Sequence, residues 1–474
     1  MSHGFERRDS ARHAKGDPLG EHPVVGMVDA KFVDLFAGCG GISLGLCQAG
    51  WSGRFAVERA EDAFATFAAN FLGGDARYQF DWPEWLGKSA HSIEDVLDKC
   101  EAMIASLCGD VSLVAGGPPC QGFSFAGKRN GSDPRNRMFE QYVRFIKLVR
   151  PRFLLLENVP GMGVAHRDGR GIHRKTYYEK LIEELDMIGY EARGAVLDAA
   201  EFGVPQRRER LVVIGVRREG VNSLLAAAET TYASELIDHL FTQAQDEGKR
   251  QVNELGGRVS AFAAISDLEV GEDLLRGTVE YPGRDSRVGY RQVKYRGPRT
   301  KYQMLMHEGH VSADMDSMRL AKHTEDVRVR FATILAGTEG RRGKNISPEF
   351  RASLNMLKHR TVPMDSLAPA PTLTTLPDDI LHYSEPRILT VREYARLQSF
   401  PDWFQFRGKY TTGGVRRKVE SPRYTQVGNA VPPLLSRALG VSLMRVLYSE
   451  AKLTRAGSPQ SMSRQSAERA CSGT

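Results

Sequence analysis

From Lys31 to Arg217 the chain repeats one pattern: a short apolar run, a turn of glycine, proline or polar residues, then an amphipathic stretch. The runs Phe32 to Phe36, Arg54 to Val57, Val111 to Ala115, Phe153 to Leu156 and Leu211 to Val216 are too short for helices and read as buried strands. Between them, Ile42 to Gln48, Asp62 to Asn70, Met138 to Val149 and Tyr177 to Ile188 space apolar side chains as helices do. Strands alternating with helices bury both faces of the sheet when wound as a parallel, Rossmann-like arrangement. The expected fold class is therefore α/β, with ligands at the carboxyl edge of the strands.

After Arg217 the rhythm is lost. Residues from about Arg218 to Pro386 mix short helical pieces with Gly and Pro punctuation, as expected of an inserted smaller domain with its own core. Regular structure resumes near Arg387 with a helix-like segment, Val391 to Gln398. The apolar stretch Val431 to Leu447 is too hydrophobic to stand alone and is expected to pack back onto the first domain. The predicted organisation is a disordered tail over 1–30, a first domain over 31–217, the insertion over 218–386, a return to the first domain over 387–450 and a second disordered tail over 451–474. Met27 could serve as an alternative start.

Composition excludes several classes. With 41% hydrophobic and 26% charged residues the chain is of ordinary globular type, which rules out collagen-like or wholesale disordered sequences. No apolar run approaches the ~18 residues needed to span a bilayer, and the polar N-terminus lacks the apolar centre of a secretory signal. The cysteines show neither C-x-x-C pairs nor metal-ligand spacing, so no disulfide framework or zinc site is expected, and a cytoplasmic location fits. His307-Glu308-Gly309-His310 departs from H-E-x-x-H spacing and is not read as a metal site. The net charge of +7 permits a polyanionic partner without requiring one.

Three clusters at predicted strand ends carry chemistry. Asp34-Leu35-Phe36-Ala37-Gly38-Cys39-Gly40-Gly41 joins a strand to a helix, and small residues there let the backbone approach a ligand. Glu58, about 20 residues after Gly38, ends the next strand, where a carboxylate can hold ribose hydroxyls. A structural turn, a dinucleotide site and a nucleoside site such as one for S-adenosylmethionine all remain open on this cluster alone, because Ser43 stands where the last Gly of G-x-G-x-x-G would be. Gly116-Gly117-Pro118-Pro119-Cys120-Gln121-Gly122-Phe123-Ser124 puts Cys120 in a polar loop that could support a reactive thiolate, although a solitary loop Cys is more often incidental. Glu157-Asn158-Val159-Pro160 ends another strand, where a carboxyl group is costly unless paired or functional.

Together with Gln206-Arg207-Arg208-Glu209-Arg210, the run Arg387 to Pro401 and Gln426-Val427-Gly428-Asn429-Ala430-Val431-Pro432-Pro433, these blocks resemble, in order, those of the DNA cytosine-5 methyltransferases of bacterial or phage type. The resemblance covers the two ends of Lys31 to Leu447 and leaves the middle unmatched. It implies a sheet for S-adenosylmethionine with an inserted target-recognition domain. It further implies Cys120 as nucleophile toward carbon 6 of a flipped-out cytosine, Glu157 at ring nitrogen 3, and Arg208 and Arg210 as orienting groups. The cofactor is expected against Phe36, Gly38, Gly40, Gly41 and Asn429, with Glu58 on its ribose and Asp81, in a stretch that departs from family spacing, at its adenine.

The loop Gln121 to Arg137 is expected to close over double-stranded DNA, with Gln121, Ser124 and Arg135 in contact. In the unmatched middle, Arg284, Arg287, Arg291, Lys294, Arg296, Arg299 and Lys301 occur with four tyrosines, a pattern suited to phosphates and bases; Arg291, Lys294 and Arg296 are the expected contacts. A second basic stretch, Arg407 to Tyr424, suits the DNA backbone. A monomer on DNA is expected, with a cognate restriction enzyme or another anti-phage defence protein as possible partner. An RNA methyltransferase of the same family is disfavoured by the size of the insertion. A catalytically dead DNA-binding regulator is disfavoured by intact Cys120, Glu157, Gln206 and Asn429. A nicotinamide dehydrogenase would rest on Gly38 and Glu58 alone.

Overall fold

A computed structural model describes residues 28, 30–119, 138–163, 175–271, 277–281, 289–312, 315–339, 342–412 and 420–456. Both predicted tails, apart from residues 28, 30 and 451–456, lie outside the described residues. The first half runs β1 (Lys31–Leu35), α1 (Gly41–Gln48), β2 (Ser52–Val57), α2 (Glu61–Phe71), α3 (Ile93–Lys99), α4 (Glu101–Ala105), β3 (Val111–Gly116), α5 (Met138–Val149), β4 (Phe153–Asn158), α6 (Tyr177–Met187), β5 (Tyr190–Asp198) and β6 (Glu209–Arg217). These strands form one sheet in the order β2-β1-β3-β4-β6-β5.

β1 to β4 are parallel, as the alternation requires. β6 departs from the expectation by running antiparallel to both β4 and β5. The reason is the short link between β5 and β6, a 3₁₀ turn at Ala199–Phe202 with no crossover helix, which can join only antiparallel neighbours. The strand order reverses at β1 and β3, so the crevice beyond their carboxyl ends is the topological switch point where ligands of such sheets bind.

The second half runs α7 (Asn222–Ala227), α8 (Ala233–Glu254), α9 (Ala261–Ile265), β7 (Thr278–Glu280), β8 (Arg291–Val293), α10 (Lys301–His307), α11 (Glu325–Gly337), α12 (Pro348–Ser353), β9 (Val362–Pro363), β10 (Ile380–Leu381), α13 (Val391–Leu397), α14 (Arg423–Asn429) and α15 (Pro433–Ala456). α15 packs back onto the sheet domain through glycine contacts. An added Cβ on Gly45 of α1 would lie 2.4 Å from the Pro433 carbonyl oxygen and 2.6 Å from the Arg437 nitrogen, and the Trp51 indole donates to the Gly440 carbonyl at 2.9 Å.

The insertion differs from its expected boundaries. α7, α8 and α9 share one core with the sheet and α15 through Leu224, Leu236, Leu240, Phe241, Ala264 and Ile265, so they belong to the first body rather than to a domain starting at Arg218. Val362, Met364, Ala370 and Leu373 rejoin that core before the expected return at Arg387. Apart from that core stand two small clusters, one of Leu268, Val270, Val293, Met315 and Met318, the other of Phe331, Ile334 and Ile346 with Leu381 and Ile388 from beyond the return. Small cores of this kind need bracing. Buried arginines of α13 supply part of it: Arg396 pairs with Asp267 and Asp402, and Arg392 donates to the carbonyls of Asp316, Pro401 and Phe404.

Candidate active site

The turn after β1 is built by left-handed backbone at Phe36 (φ 59°), Gly38 (φ 58°) and Gly40 (φ 96°). Its glycines divide the work. An added Cβ on Gly38 would meet nothing within 4 Å, so this residue faces open space, whereas one on Gly40 would strike the Phe71 ring at 2.5 Å and one on Gly41 the Val431 carbonyl oxygen at 2.2 Å. Gly40 and Gly41 thus admit the protein's own α2 and the link from α14 to α15, a use that spacing alone does not reveal. The Cys39 thiol reaches the Gln426 carbonyl of α14 at 3.7 Å. Asn429, the exposed last residue of α14, is thereby held beside this turn.

Glu58 follows β2, and its carboxylate accepts from the backbone N–H of Gly38 at 2.9 Å and of Ala60 at 2.6 Å. Burial raises its proton affinity, and these two amide bonds oppose that rise. Each oxygen keeps a second lone pair, as a group binding two ribose hydroxyls requires. Beneath the turn, Asp34 is fully buried. Its Oδ2 accepts from the Ser43 hydroxyl at 2.6 Å, and burial pushes its pKa up to about 7.

Asp81 is not at this end of the sheet, which corrects the adenine assignment. Its N–H donates to the Gly53 carbonyl at 2.9 Å and its carboxylate pairs with Arg54, near the amino end of β2. Five residues of strand, roughly 16 Å, separate Gly53 from Glu58. The cause is Phe80, whose ring fills the space a Cβ on Gly53 would need and so docks the segment there. The stretch that does come beside Glu58 is residues 87–92, where the His91 N–H donates to the Glu58 carbonyl at 2.8 Å. No motif pointed to it.

The end of β4 meets the end of β3. The Asn158 amide donates to the Pro118 carbonyl at 3.1 Å, clipping the segment that leads to Cys120. Glu157 Oε1 takes Arg210 Nε at 2.7 Å, while Oε2 lies 3.3 Å from where a Cβ on Gly117 would stand, facing the same segment. Arg210 is therefore the arginine on the carboxylate. Arg208 is turned away, which corrects its reading as an orienting group on substrate. It is 2% exposed and donates to the carbonyls of Leu373 (3.2 Å), Gly428 (2.9 Å) and Ala430 (3.2 Å). Gln398 adds bonds to the Val427 and Ala430 carbonyls, and Gln206 bonds the Gln398 side chain and the Leu373 N–H. These three side chains fix both flanks of Asn429.

Cys120, Gln121, Ser124 and Arg135 lie outside the described residues, as do Arg284, Arg287, Arg416, Arg417 and Lys418. Arg291, Lys294 and Arg296 are exposed; Arg291 also bonds Thr278 across the β7–β8 pair. The His307 Nδ1–H donates to the Asp402 carboxylate at 2.9 Å, and among the described residues no group of three or more His, Cys, Asp or Glu side chains could hold a metal ion. Among them, too, no single helix is long and apolar enough to cross a membrane.

A Rossmann-like sheet with a glycine turn, a carboxylate after β2 and a paired carboxylate at the end of β4 fits a methyltransferase fold. The profile of the C-5 cytosine-specific DNA methylases matches residues 30–445. Type II methyltransferase M.DdeI of Desulfomicrobium norvegicum is 32% identical over 86% of this chain and 87% of its own length. Type II methyltransferase M.XorII of Xanthomonas oryzae pv. oryzae is 31% identical over 88% and 84%. In fold, the chain resembles a solved E. coli prophage-encoded protein described as a DNA modification methyltransferase, with a TM-score of 0.57 and 22% identity over 88% of this chain and 99% of that one. The chain belongs to the C-5 cytosine-specific DNA methylase family and acts as a DNA (cytosine-5) methyltransferase.

Proposed function

We propose that the chain is a modification enzyme that takes its methyl group from S-adenosylmethionine and attaches it to carbon 5 of a flipped-out cytosine in a specific duplex sequence, through a covalent bond to Cys120. The observation that carries this reading is the meeting of the β3 and β4 ends. There Asn158 clips the backbone leading to Cys120, and Glu157 presents one oxygen to Arg210 and the other to the same segment. Its type II relatives favour a restriction-modification setting, with the cytoplasm as the compartment.

The donor supplies an electrophilic methyl group. Phe36, Gly38 and Asn429 would line its methionyl and adenine parts, Glu58 would take the ribose hydroxyls, and Gly40 and Gly41 would shape the turn. On the cytosine, the Cys120 thiolate adds to carbon 6, and the electron pair displaced toward carbon 5 forms the bond to the methyl group as the methyl–sulfur bond of the donor breaks and S-adenosylhomocysteine leaves. Glu157 holds ring nitrogen 3 while charge builds on the pyrimidine, with Arg210 fixing the carboxyl. Water then removes the carbon 5 proton, and the carbon–sulfur bond breaks to restore the ring and the thiolate. A cytosine inside the duplex cannot offer carbon 6 to a thiol, so it must leave the stack at a cost of a few kcal/mol.

Arg208 acts here as a positioning residue for Asn429. Residues of the insertion between the two small clusters, with Arg291, Lys294 and Arg296, read or clamp the DNA, alongside Gln121, Ser124 and Arg135. The test is incubation of unmethylated duplex DNA with the protein and S-adenosylmethionine, followed by bisulfite sequencing. Conversion-resistant cytosines confined to one short motif are expected; cytosines converted throughout would overturn the reading.

A further inference from the structure

Two basic stretches lie far apart in sequence, and their described ends meet at one side chain. Tyr281 and Tyr290 flank residues 282–288, which include Arg284 and Arg287, and Tyr410 precedes residues 413–419, which include Arg416, Arg417 and Lys418. The Arg319 guanidinium lies 3.7 Å from the Tyr410 ring centroid, 4.1 Å from that of Tyr290 and 5.8 Å from that of Tyr281. The rings of Tyr281 and Tyr410, 129 residues apart, meet edge to face with their hydroxyls at 3.5 Å. Arg423 adds a second cation 4.5 Å from the Tyr410 ring and bonds Asp316 and Ser317.

Each side of this contact is tied to a different body. Arg319 pairs with Gln292 in an antiparallel bridge and the Leu320 N–H donates to the Arg291 carbonyl at 2.8 Å, so residues 319–320 run along β8. Tyr410 follows a segment seated on α2 and α14: the Arg407 N–H donates to Thr66 Oγ1 at 2.8 Å, and the Gln426 amide to the Arg407 carbonyl at 3.1 Å. Thr66 in turn donates to Gln426 Oε1 at 2.6 Å, three residues from Asn429. The β7–β8 pair has only three residues per strand and a small core beneath it, so its orientation depends on ties outside the pair, those of Asp316 and Ser317 to Arg392, Phe406 and Arg423 and the stack at Arg319. A cation against two aromatic rings supplies a directional brace.

We propose that the Arg319, Tyr290 and Tyr410 stack is the joint that sets the angle of the β7–β8 pair against the catalytic body, making Arg319 and Tyr410 positioning residues for the choice of DNA sequence. This rests on the reading of the insertion as the DNA-recognising part. It follows that loss of the joint loosens sequence choice while sparing cofactor binding, because the flanks of Asn429 are held separately by Arg208, Gln206 and Gln398.

The test uses the full chain and the motif mapped by bisulfite sequencing. kcat/KM is measured on the cognate duplex and on duplexes with one changed base pair, and the affinity for S-adenosylhomocysteine is measured by calorimetry. Tyr410→Leu is expected to lower discrimination about tenfold, within the range that one lost base contact produces, with cofactor affinity unchanged. Tyr410→Phe, which keeps the ring, is expected to behave as the parent. Should Tyr410→Leu fail to fold, Arg319→Lys keeps the charge but not the planar group and is expected to give the same loss. Lys294→Ala and Arg296→Ala serve as the control for the underlying reading. If those two change specificity and the joint variants do not, the joint is refuted and the reading stands; if none of the variants changes specificity, both fall.

Discussion

Asp34 offers a test of the ground beneath the cofactor turn. Its carboxyl is fully buried, one oxygen bonds Ser43 at 2.6 Å, and the other has no hydrogen-bond partner. Burial is the largest cause of its elevated pKa of about 7, with the Glu58 charge adding to it and the Ser43 bonds opposing it. The unfolded chain ionises this group near its ordinary 3.8. Below that value both states hold the proton; between it and about 7 only the folded state does, so stability falls as pH rises and then levels off. At ~1.4 kcal/mol per unit, the loss is about 4 kcal/mol. Asp34→Asn removes the titration. Urea unfolding of both proteins across this range should show the variant gaining on the parent by about 3 to 4 kcal/mol as pH rises. A stability gap that is flat with pH would refute the reasoning, because any fixed cost of the amide is the same at every pH.

Three further outcomes follow from the site and the core. Glu157→Gln should bind S-adenosylhomocysteine normally yet lose roughly 10²- to 10⁴-fold in kcat, as measured by methyl incorporation, since the acid at ring nitrogen 3 is removed. Glu58→Ala should weaken S-adenosylhomocysteine by about 10- to 100-fold in calorimetry, with duplex binding retained, because it takes away a charged acceptor and uncaps the Gly38 and Ala60 amides. Gly45→Ala places a methyl 2.4 Å from the Pro433 carbonyl oxygen and should cost about 1 to 3 kcal/mol, read as a lower urea midpoint. An unchanged midpoint would contradict the close packing of α1 on α15.

The parts of the fold legible in the sequence are those whose signal is local. β1, β3 and β4 are buried almost throughout, so each is a mostly apolar run. β5 was not legible: it is an edge strand, interrupted by Arg193 and Gly194, with only Tyr190, Ala192 and Leu197 buried. α8 lies past the end of the strand–helix alternation, so the sequence places it in the insertion. What ties it to the first body is tertiary, including Glu247, buried and paired with Arg437 190 residues away. In the site, the spacing from Gly38 to Glu58 was legible because one strand and one helix determine it. The fate of Arg208 was not, because its acceptors are carbonyls 165 to 222 residues further along the chain. The place of Asp81 is not legible either, because it is set by the packing of Phe80 against Gly53 rather than by any spacing along the chain.

Covalent catalysis by Cys120 is the central claim, and trapping tests it most directly. Duplex DNA bearing the mapped motif with 5-fluorocytosine at the target position is incubated with the protein and S-adenosylmethionine, then resolved under denaturing conditions. Fluorine cannot leave carbon 5 as a proton does, so the ring cannot be restored and the thiolate cannot depart. The expected result is a protein–DNA adduct, dependent on the methyl donor, that peptide mass spectrometry maps to Cys120 and that Cys120→Ala does not form. A protein that methylates the unmodified motif but forms no adduct, or an adduct mapped to another residue, would contradict the account.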